Sequence, residues 1–442
     1  MPIKYDVGVV GLGYVGLTLA TALADSGLKV IGIEKRADVV ELVRAGRPSF
    51  QEVGLDRILS NAVERGNLVV ESEFGPGDRC DVYIITVGTP LDKHGVARLD
   101  MIENATRQVA ESMDDGALVI LRSTVKIGTT RNVVAPILAA SGKKFEIAMC
   151  PERTLEGNAM AELRQLPQIV GADAQETRER ASRLFSQLTS QVLTVSSLET
   201  AEIIKLADNT YRDVWFGFAN EVARICDAVG ASASEVISTG KLGYPRTNIA
   251  SPGLVGGPCL EKDPHILRQS AKEYGIDLEI TAAARTVNER QPRESVEFIR
   301  CELERRGNAQ APLIAVLGLA FKGVPETDDL RGAMSLKVIA ALKAACPSAR
   351  LNAYDPVVER RAAEELGLGL TMFDDPVDAI RGADAVVIAN NHPLFGTLSL
   401  SIFASNLKPG GFVYDFWNNL PDADHSAGPR TYYAVGSAGK QY

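Results

Sequence analysis

The chain of 442 residues carries a formal net charge of −9, with 45% hydrophobic and 23% charged residues. That length exceeds one ordinary core and predicts two or three domains of ~100–200 residues each. The composition is that of a globular protein; no run reaches the roughly 18 apolar residues of a membrane span, and the acid excess leaves no basic stripe to displace phosphate counterions, which excludes a general nucleic-acid binder.

In chain order, the opening "MPIKYDVGVV" has no basic region ahead of an apolar one and predicts a cytoplasmic protein. Residues 5–10 read as a strand, "GLGYVG" as a glycine turn, and "LTLATALADSG" as a helix ending at Gly27. "LKVIGIE" supplies the next strand, so the order is the βαβ unit of a parallel sheet. Buried-strand runs follow at 81–90, 117–125, 145–152 and 167–172, and the segment 1–197 is predicted to be a doubly wound α/β domain. From 198 to 308 the strand signal gives way to long helical patterns, "LETAEIIKLADNTYRDVWFGFANEVARICDAVG" and "TAAARTVNERQPRESVEFIRCELERRG". Pro292 is expected to kink or divide the latter. Strands return at 312–322, 349–356, 384–391 and 411–418, and "VLGLAFKG" echoes "VVGLGYVG", which predicts a second Rossmann-like domain over 309–442. The tail after Asn419 lacks periodicity and is expected to be flexible.

Gly11, Gly13 and Gly16 have the spacing GxGxxG between a strand and a helix, with Tyr14 and Val15 completing the loop. The first glycine permits the tight turn, the second lets a pyrophosphate approach the backbone, and the third lets helix pack on strand. Glu34 ends the second strand, where a carboxylate holds the adenosine ribose hydroxyls and repels a 2′-phosphate. NAD is therefore expected over NADP, although Lys35 and Arg36 follow at once.

The six cysteines are scattered and form no CxxC pair, so neither a metal site nor a disulfide framework is expected. Cys259 differs from the others. It lies in "PGLVGGPCLEKDP", behind Gly256 and Gly257, with Pro258 suited to the first position of a helical turn and Asp263 four residues on. A cysteine at such a turn has backbone N–H groups nearby that favour thiolate. Asp263 either shares a face with it or caps the following helix. Lys205 and Asn209 share a helix face; taken alone the lysine reads as a side chain snorkelling to the surface.

"GLGYVGLTLA", "LRSTVKIGTT", "CPERTLEGNA", "ETAEIIKLADNTYRDVWFGFANE", "PGLVGGPCLEKDP", "GLAFKGVPETDDLRGAMS" and "AYDP" stand in the order seen in the nucleotide-sugar 6-dehydrogenases, and over residues 5–418 the chain resembles that family. The resemblance implies an NAD-binding domain, a helical middle that forms a homodimer or larger homo-oligomer, and a carboxy-terminal domain that binds the nucleotide sugar. It also implies four-electron oxidation at C6 of the sugar, in which Cys259 captures an aldehyde as a thiohemiacetal and then carries a thioester. Lys205 and Asn209 would stabilise the oxyanion, Asp263 would order water or act as base, and Thr124 with Glu152 would place water at the thioester. Thr89 and Thr124 would line the cofactor. Arg153, Gly256, Lys322 and Arg331 would join Lys205 and Asn209 in binding the UDP-sugar, and Arg246 would reach the substrate bound by the neighbouring subunit.

"CPERTLEG" and "YPRTNI" resemble the UDP-N-acetylhexosamine branch, where UDP-ManNAc is expected slightly ahead of UDP-GlcNAc and UDP-glucose is the alternative. The chain departs from that branch at Pro258 and "LEKDP", where histidine and a "PVDP"-like ending are common. A two-electron hydroxyacid-type dehydrogenase would share the dinucleotide domain but need neither Cys259 nor a second nucleotide-binding domain. A non-enzymatic NAD sensor would bind cofactor without turnover.

Overall fold

The computed structural model describes residues 4–93, 95–420 and 431–437. It divides into two compact units, Met1–Asn209 with His265–Asp277, and Thr210–Pro264 with Leu278–Tyr442.

The first unit is built on strands β1 (Tyr5–Val10), β2 (Val30–Ile33), β3 (Leu68–Glu71), β4 (Cys80–Ile85), β5 (Ala117–Leu121), β6 (Phe145–Met149), β7 (Gln168–Gly171) and β8 (Val192–Val195). Their order in the sheet is β3-β2-β1-β4-β5-β6-β7-β8, parallel except where β7 runs antiparallel to β6. The central strands are apolar throughout because helices cover both faces, and β2 and β5 have every residue buried. β3 and β8 alternate or are partly exposed, and this weaker pattern hid them from the sequence reading. The order in which strands are added reverses between the parallel neighbours β1 and β4, and this switch point opens a crevice at the carboxyl ends of those strands.

The second unit carries β9 (Leu313–Leu317), β10 (Arg350–Tyr354), β11 (Thr371–Met372), β12 (Ala385–Ile388), β13 (Phe412–Asp415) and β14 (Tyr432–Ala434), in the order β11-β10-β9-β12-β13-β14 and all parallel. This is the strand order of a complete Rossmann sheet. The doubly wound fold with two parallel sheets and a helical region between them in sequence thus agrees with the expected class.

Two local expectations are corrected. Pro292 neither divides nor ends its helix, which runs unbroken over Glu279–Arg305. The tail expected to be flexible contains a strand: Tyr432–Ala434 pairs with β13, and the Tyr432 hydroxyl donates to Asp415 Oδ2 at 2.8 Å. Residues 421–430 and 438–442 of that tail lie outside the described residues. Among the described residues no helix is long and apolar enough to cross a membrane.

Candidate active site

The glycine loop after β1 has the three properties its spacing demands. Gly11 sits at φ +92°, where a side chain would also meet Val87 Cγ1 at 2.9 Å. A Cβ on Gly16 would overlap the Gly11 carbonyl oxygen, so the helix Tyr14–Asp25 can start this close to β1 only with glycine there. Gly13 is the opposite case: a Cβ would meet nothing within 4 Å, which leaves space beside the backbone. Gly13 is the N-cap of that helix and provides no side-chain cap, so the first-turn N–H groups face a place that suits a pyrophosphate. Tyr14 is turned into the protein, and its hydroxyl accepts from the Gly157 N–H at 2.5 Å.

Glu34 follows the end of β2, accepting from the Leu12 N–H at 2.9 Å and the Arg36 N–H at 3.0 Å. One acid thus braces the glycine loop from the end of β2. The Arg36 guanidinium is paired with Asp38, Nη2 to Oδ2 at 2.5 Å, and so engages a carboxylate of its own helix. The open space at Gly13, the uncapped helix start and Glu34 fit NAD. In the second unit Asp355 repeats the bracing, accepting from the Leu319 and Ala320 N–H groups at 2.6 and 3.0 Å. Its other oxygen is filled by Val357 and Val358, and a Cβ on Gly318 would meet Asn390 at 2.5 Å. That turn is packed with protein where the first one is open.

The carboxyl ends of β4, β5 and β6 bring Thr89, Thr124 and Glu152 into the first unit's crevice region. Thr89 Oγ1 donates to the Thr124 carbonyl at 2.5 Å, fixing one loop on the other. Glu152 is buried with both oxygens occupied. Oε2 accepts from Arg122 Nε at 3.1 Å and Nη2 at 2.5 Å, and Oε1 from the N–H groups of Arg153 and Thr154 at 2.7 and 2.8 Å. Burial pushes this carboxyl up, but the Arg122 charge, the Thr154 and Arg122 hydrogen bonds and the charge of Lys205 together hold it below the usual carboxylate range. A carboxylate so held is a weak proton acceptor and a strong anchor for the loop that starts at Glu152.

Lys205 and Asn209, one turn apart on the helix Leu198–Val229, are both buried, at 8% and 6% exposure. The surface-snorkelling alternative for Lys205 therefore fails. Glu202, a turn before Lys205, accepts from the Gly128 N–H at 2.5 Å and from the Thr130 N–H and hydroxyl at 2.9 and 2.6 Å. It ties the segment after Thr124 to the lysine-bearing helix. Arg153 is engaged within the same unit, donating to the Pro167 carbonyl at 2.7 Å and lying 3.5 Å from Asp208.

Cys259, Asp263, Arg246, Gly256, Lys322 and Arg331 belong to the second unit. Cys259 is half-buried in the short helix Gly257–Leu260, with Pro258 in its first turn. Gly257 has φ +87° and lies against the Phe321 ring, and its N–H donates to the Gly332 carbonyl at 2.8 Å. A Cβ on Gly256 would meet that same carbonyl at 2.6 Å. Glycine at both positions lets the thiol's turn lie directly on the 318–334 loop. Asp263 opens the helix Asp263–Glu273, is fully buried, and accepts from Lys262 Nζ at 2.7 Å. Lys322 lies 5.2 Å from the Phe321 ring centroid, Arg331 pairs with Asp329 at 2.6 Å, and Arg246 lies 4.7 Å from the Tyr244 ring centroid.

Sequence reasoning missed Arg122, Glu202, Asp213, Asn220, Arg285 and Asn288, all of them buried. The available signal was a charge or amide in an apolar setting, as with Arg122 directly after the β5 run "ALVIL".

Three family models match in sequence. The UDP-glucose/GDP-mannose dehydrogenase family's NAD binding domain covers residues 5–189, its central domain 199–290 and its UDP binding domain 315–422. A UDP-N-acetyl-D-mannosamine dehydrogenase from Pyrococcus horikoshii is 33% identical over 91% of this chain and 93% of its own length. A solved structure of a UDP-D-ManNAc dehydrogenase from that organism superimposes with a TM-score of 0.87 at 31% identity, covering 98% of this chain and 100% of the other. A UDP-glucose dehydrogenase from Pyrobaculum islandicum gives a TM-score of 0.86 at 29% identity, covering 99% of each chain.

Proposed function

The chain belongs to the UDP-glucose/GDP-mannose dehydrogenase family and is an NAD-dependent UDP-sugar oxidoreductase; on that premise we propose that it oxidises the C6 hydroxyl of a UDP-N-acetylhexosamine, UDP-ManNAc before UDP-GlcNAc, through to the carboxylate. The observation that carries the four-electron reading is Cys259, half-buried on a turn seated against the 318–334 loop that bears Lys322 and Arg331. A dehydrogenase that stopped at a carbonyl would need no thiol there.

Gly11, Gly13, Gly16 and Glu34 would hold NAD⁺, which would accept one hydride in each oxidation, so that two NAD⁺ would be reduced per sugar. The Cys259 thiolate adds to the C6 aldehyde carbon and keeps it bound until it reaches the acid level, when water displaces the thiol. Lys205 supplies positive charge to the oxygen that becomes anionic, and Asn209 a donor beside it, both fixed by burial before the reaction begins. Asp263 orders the water that opens the thioester. Glu152, its oxygens occupied, positions the loop that presents Arg153 and leaves proton transfer to other groups. Thr124 orients the same water through the loop that Glu202 clamps. Lys322 and Arg331 neutralise the substrate's phosphates, with Arg and Lys suited to such anions, and Arg246 reaches the substrate bound by the neighbouring subunit.

The preference for an N-acetyl sugar rests on the names of the relatives and on Arg153, whose cation and donors stand in "CPERTLEG". The likeness to the Pyrobaculum islandicum structure favours a second reading, UDP-glucose oxidation. Turnover of the three UDP-sugars at equal concentration separates them: kcat/KM highest for UDP-ManNAc supports the first, and highest for UDP-glucose the second. The domain division 1–197, 198–308 and 309–442 and a cytoplasmic location belong to the same reading.

A homodimer or larger homo-oligomer completes it. Tyr211, Phe218 and Ile225 recur at heptad spacing on the helix Leu198–Val229 and are 67%, 53% and 66% exposed. An apolar stripe of this kind is expected to be covered by a second copy. The double variant Phe218→Glu and Ile225→Glu is expected to sediment as a monomer, whereas a wild-type chain that is monomeric at micromolar concentration contradicts the proposal.

A further inference from the structure

Four buried side chains from two helices, Leu198–Val229 and Glu279–Arg305, form one hydrogen-bonded cluster, and two of them, Asn220 and Arg285, bond the segment that carries Cys259. Asn220 binds Gly253 in both directions, Oδ1 accepting its N–H at 2.9 Å and Nδ2 donating to its carbonyl at 3.1 Å. Arg285 Nη1 donates to the Leu260 carbonyl at 2.6 Å and to Asp213 Oδ1 at 2.8 Å, and Nη2 reaches the Val255 carbonyl at 3.3 Å. Asn288 joins the two halves: its Nδ2 donates to the Asp213 carbonyl at 3.0 Å and to Oδ1 at 2.8 Å, and its Oδ1 accepts from Asn220 at 3.0 Å. Asp213, Asn220 and Asn288 are 0% exposed and Arg285 2%. The bonds bracket the thiol, at residues 253 and 255 before it and at residue 260 immediately after it.

An arrangement so polar is a costly way to join two helices. Burying an arginine and an aspartate removes both from water, and well-packed apolar residues of similar volume commonly serve as well or better. The segment itself supplies the reason for a polar clamp. Gly253, Gly256 and Gly257 leave it little stiffness of its own, and its carbonyls at 255 and 260 point inward, where only a planar, multiply donating group satisfies both. We infer that Arg285, oriented by Asp213 and Asn288 and aided by Asn220, is a positioning group that fixes the Cys259 thiol where it intercepts the aldehyde before the aldehyde escapes. This inference rests on Cys259 being the nucleophile.

The test is the coupling of the two oxidations in Arg285→Lys, which keeps a charge opposite Asp213 but loses the fork that spans the carbonyls of Val255 and Leu260. Misplacement of a reacting group by about 1 Å costs on the order of 10²-fold, so kcat is expected to fall by about that factor while KM for NAD stays within about twofold. NADH formed per UDP-ManNAc consumed is expected to drop from about two towards one, with free aldehyde trapped by semicarbazide. Added guanidinium is expected to restore part of kcat to Arg285→Ala. If Arg285→Lys does not fold, Asn220→Ser, which weakens the contacts to Gly253 and Asn288 but leaves Arg285 in place, is expected to show the same uncoupling more weakly.

Unchanged kcat and coupling in a folded variant overturn the inference. So does lowered thermal stability with coupling intact, because a merely structural clamp would lose fold without leaking aldehyde. Wild-type enzyme that already yields about one NADH per sugar overturns the underlying reading of Cys259 instead.

Discussion

Cys259→Ala is expected to reduce carboxylate formation by about 10⁴-fold or more, the scale on which removal of a covalent nucleophile acts, while NAD affinity stays unchanged. The two effects separate because Cys259 lies in the second unit and the dinucleotide cradle in the first. The surroundings of the thiol also make alanine a mild change for the fold. The turn Gly257–Leu260 is held through backbone atoms, by the Gly257 N–H on the Gly332 carbonyl and by Arg285 on the Leu260 carbonyl, and none of these bonds uses the sulfur. NADH production under single-turnover conditions and calorimetric NAD binding check the prediction together. Acid formation at the wild-type rate would rule out the thioester route, and a parallel loss of NAD binding would mean that the variant is misfolded.

The second large effect distinguishes two glycines three residues apart in one motif. Gly16→Ala places a methyl on the Gly11 carbonyl and 2.6 Å from Thr86 Oγ1, which itself donates to the Gly11 carbonyl at 2.7 Å. Neither neighbour is the loose end of a flexible chain, so the helix must shift. Overpacking of this kind costs about 1–3 kcal/mol, and a lower melting temperature is expected together with loss of NAD binding. Gly13→Ala meets no protein atom within 4 Å. Its melting temperature without cofactor is expected to equal that of wild type, with NAD binding weakened about tenfold or more, a change of about 1.4 kcal/mol. Equal destabilisation by both substitutions would contradict the assignment of Gly13 to close approach of the pyrophosphate.

The dinucleotide cradle was legible in the sequence because its parts are local. Gly11, Gly13 and Gly16 lie within one turn, and Glu34 reaches back to Leu12 from the adjacent strand. The doubly wound class of both sheets followed from apolar runs separated by helical patterns, whereas β3, β8 and the two-residue β11 gave no such run. What escaped were groups whose meaning depends on partners far along the chain. Arg122 stands beside an apolar run and looks out of place until Glu152 and Gln168 are brought to it. Asp213 reads as an ordinary polar position in "RDVWFGF" until Arg285 and Asn288 close over it. Lys205 was ambiguous for the same reason, since burial is a property of the packed unit and not of the local pattern. The tail was misjudged because β14 has three residues, too few for periodicity, and depends on β13 and on the Tyr432 to Asp415 hydrogen bond. Pro292, expected to kink or divide its helix, lies inside one that is continuous over Glu279–Arg305.

The measurement that bears most directly on the central claim is the number of NADH molecules formed per UDP-ManNAc consumed by the purified enzyme, with the sugar product identified by mass. Capture of the aldehyde by Cys259 predicts about two, with the uronic acid as product. About one, with a carbonyl product, would contradict it and leave a two-electron dehydrogenase in which Cys259 has no covalent role.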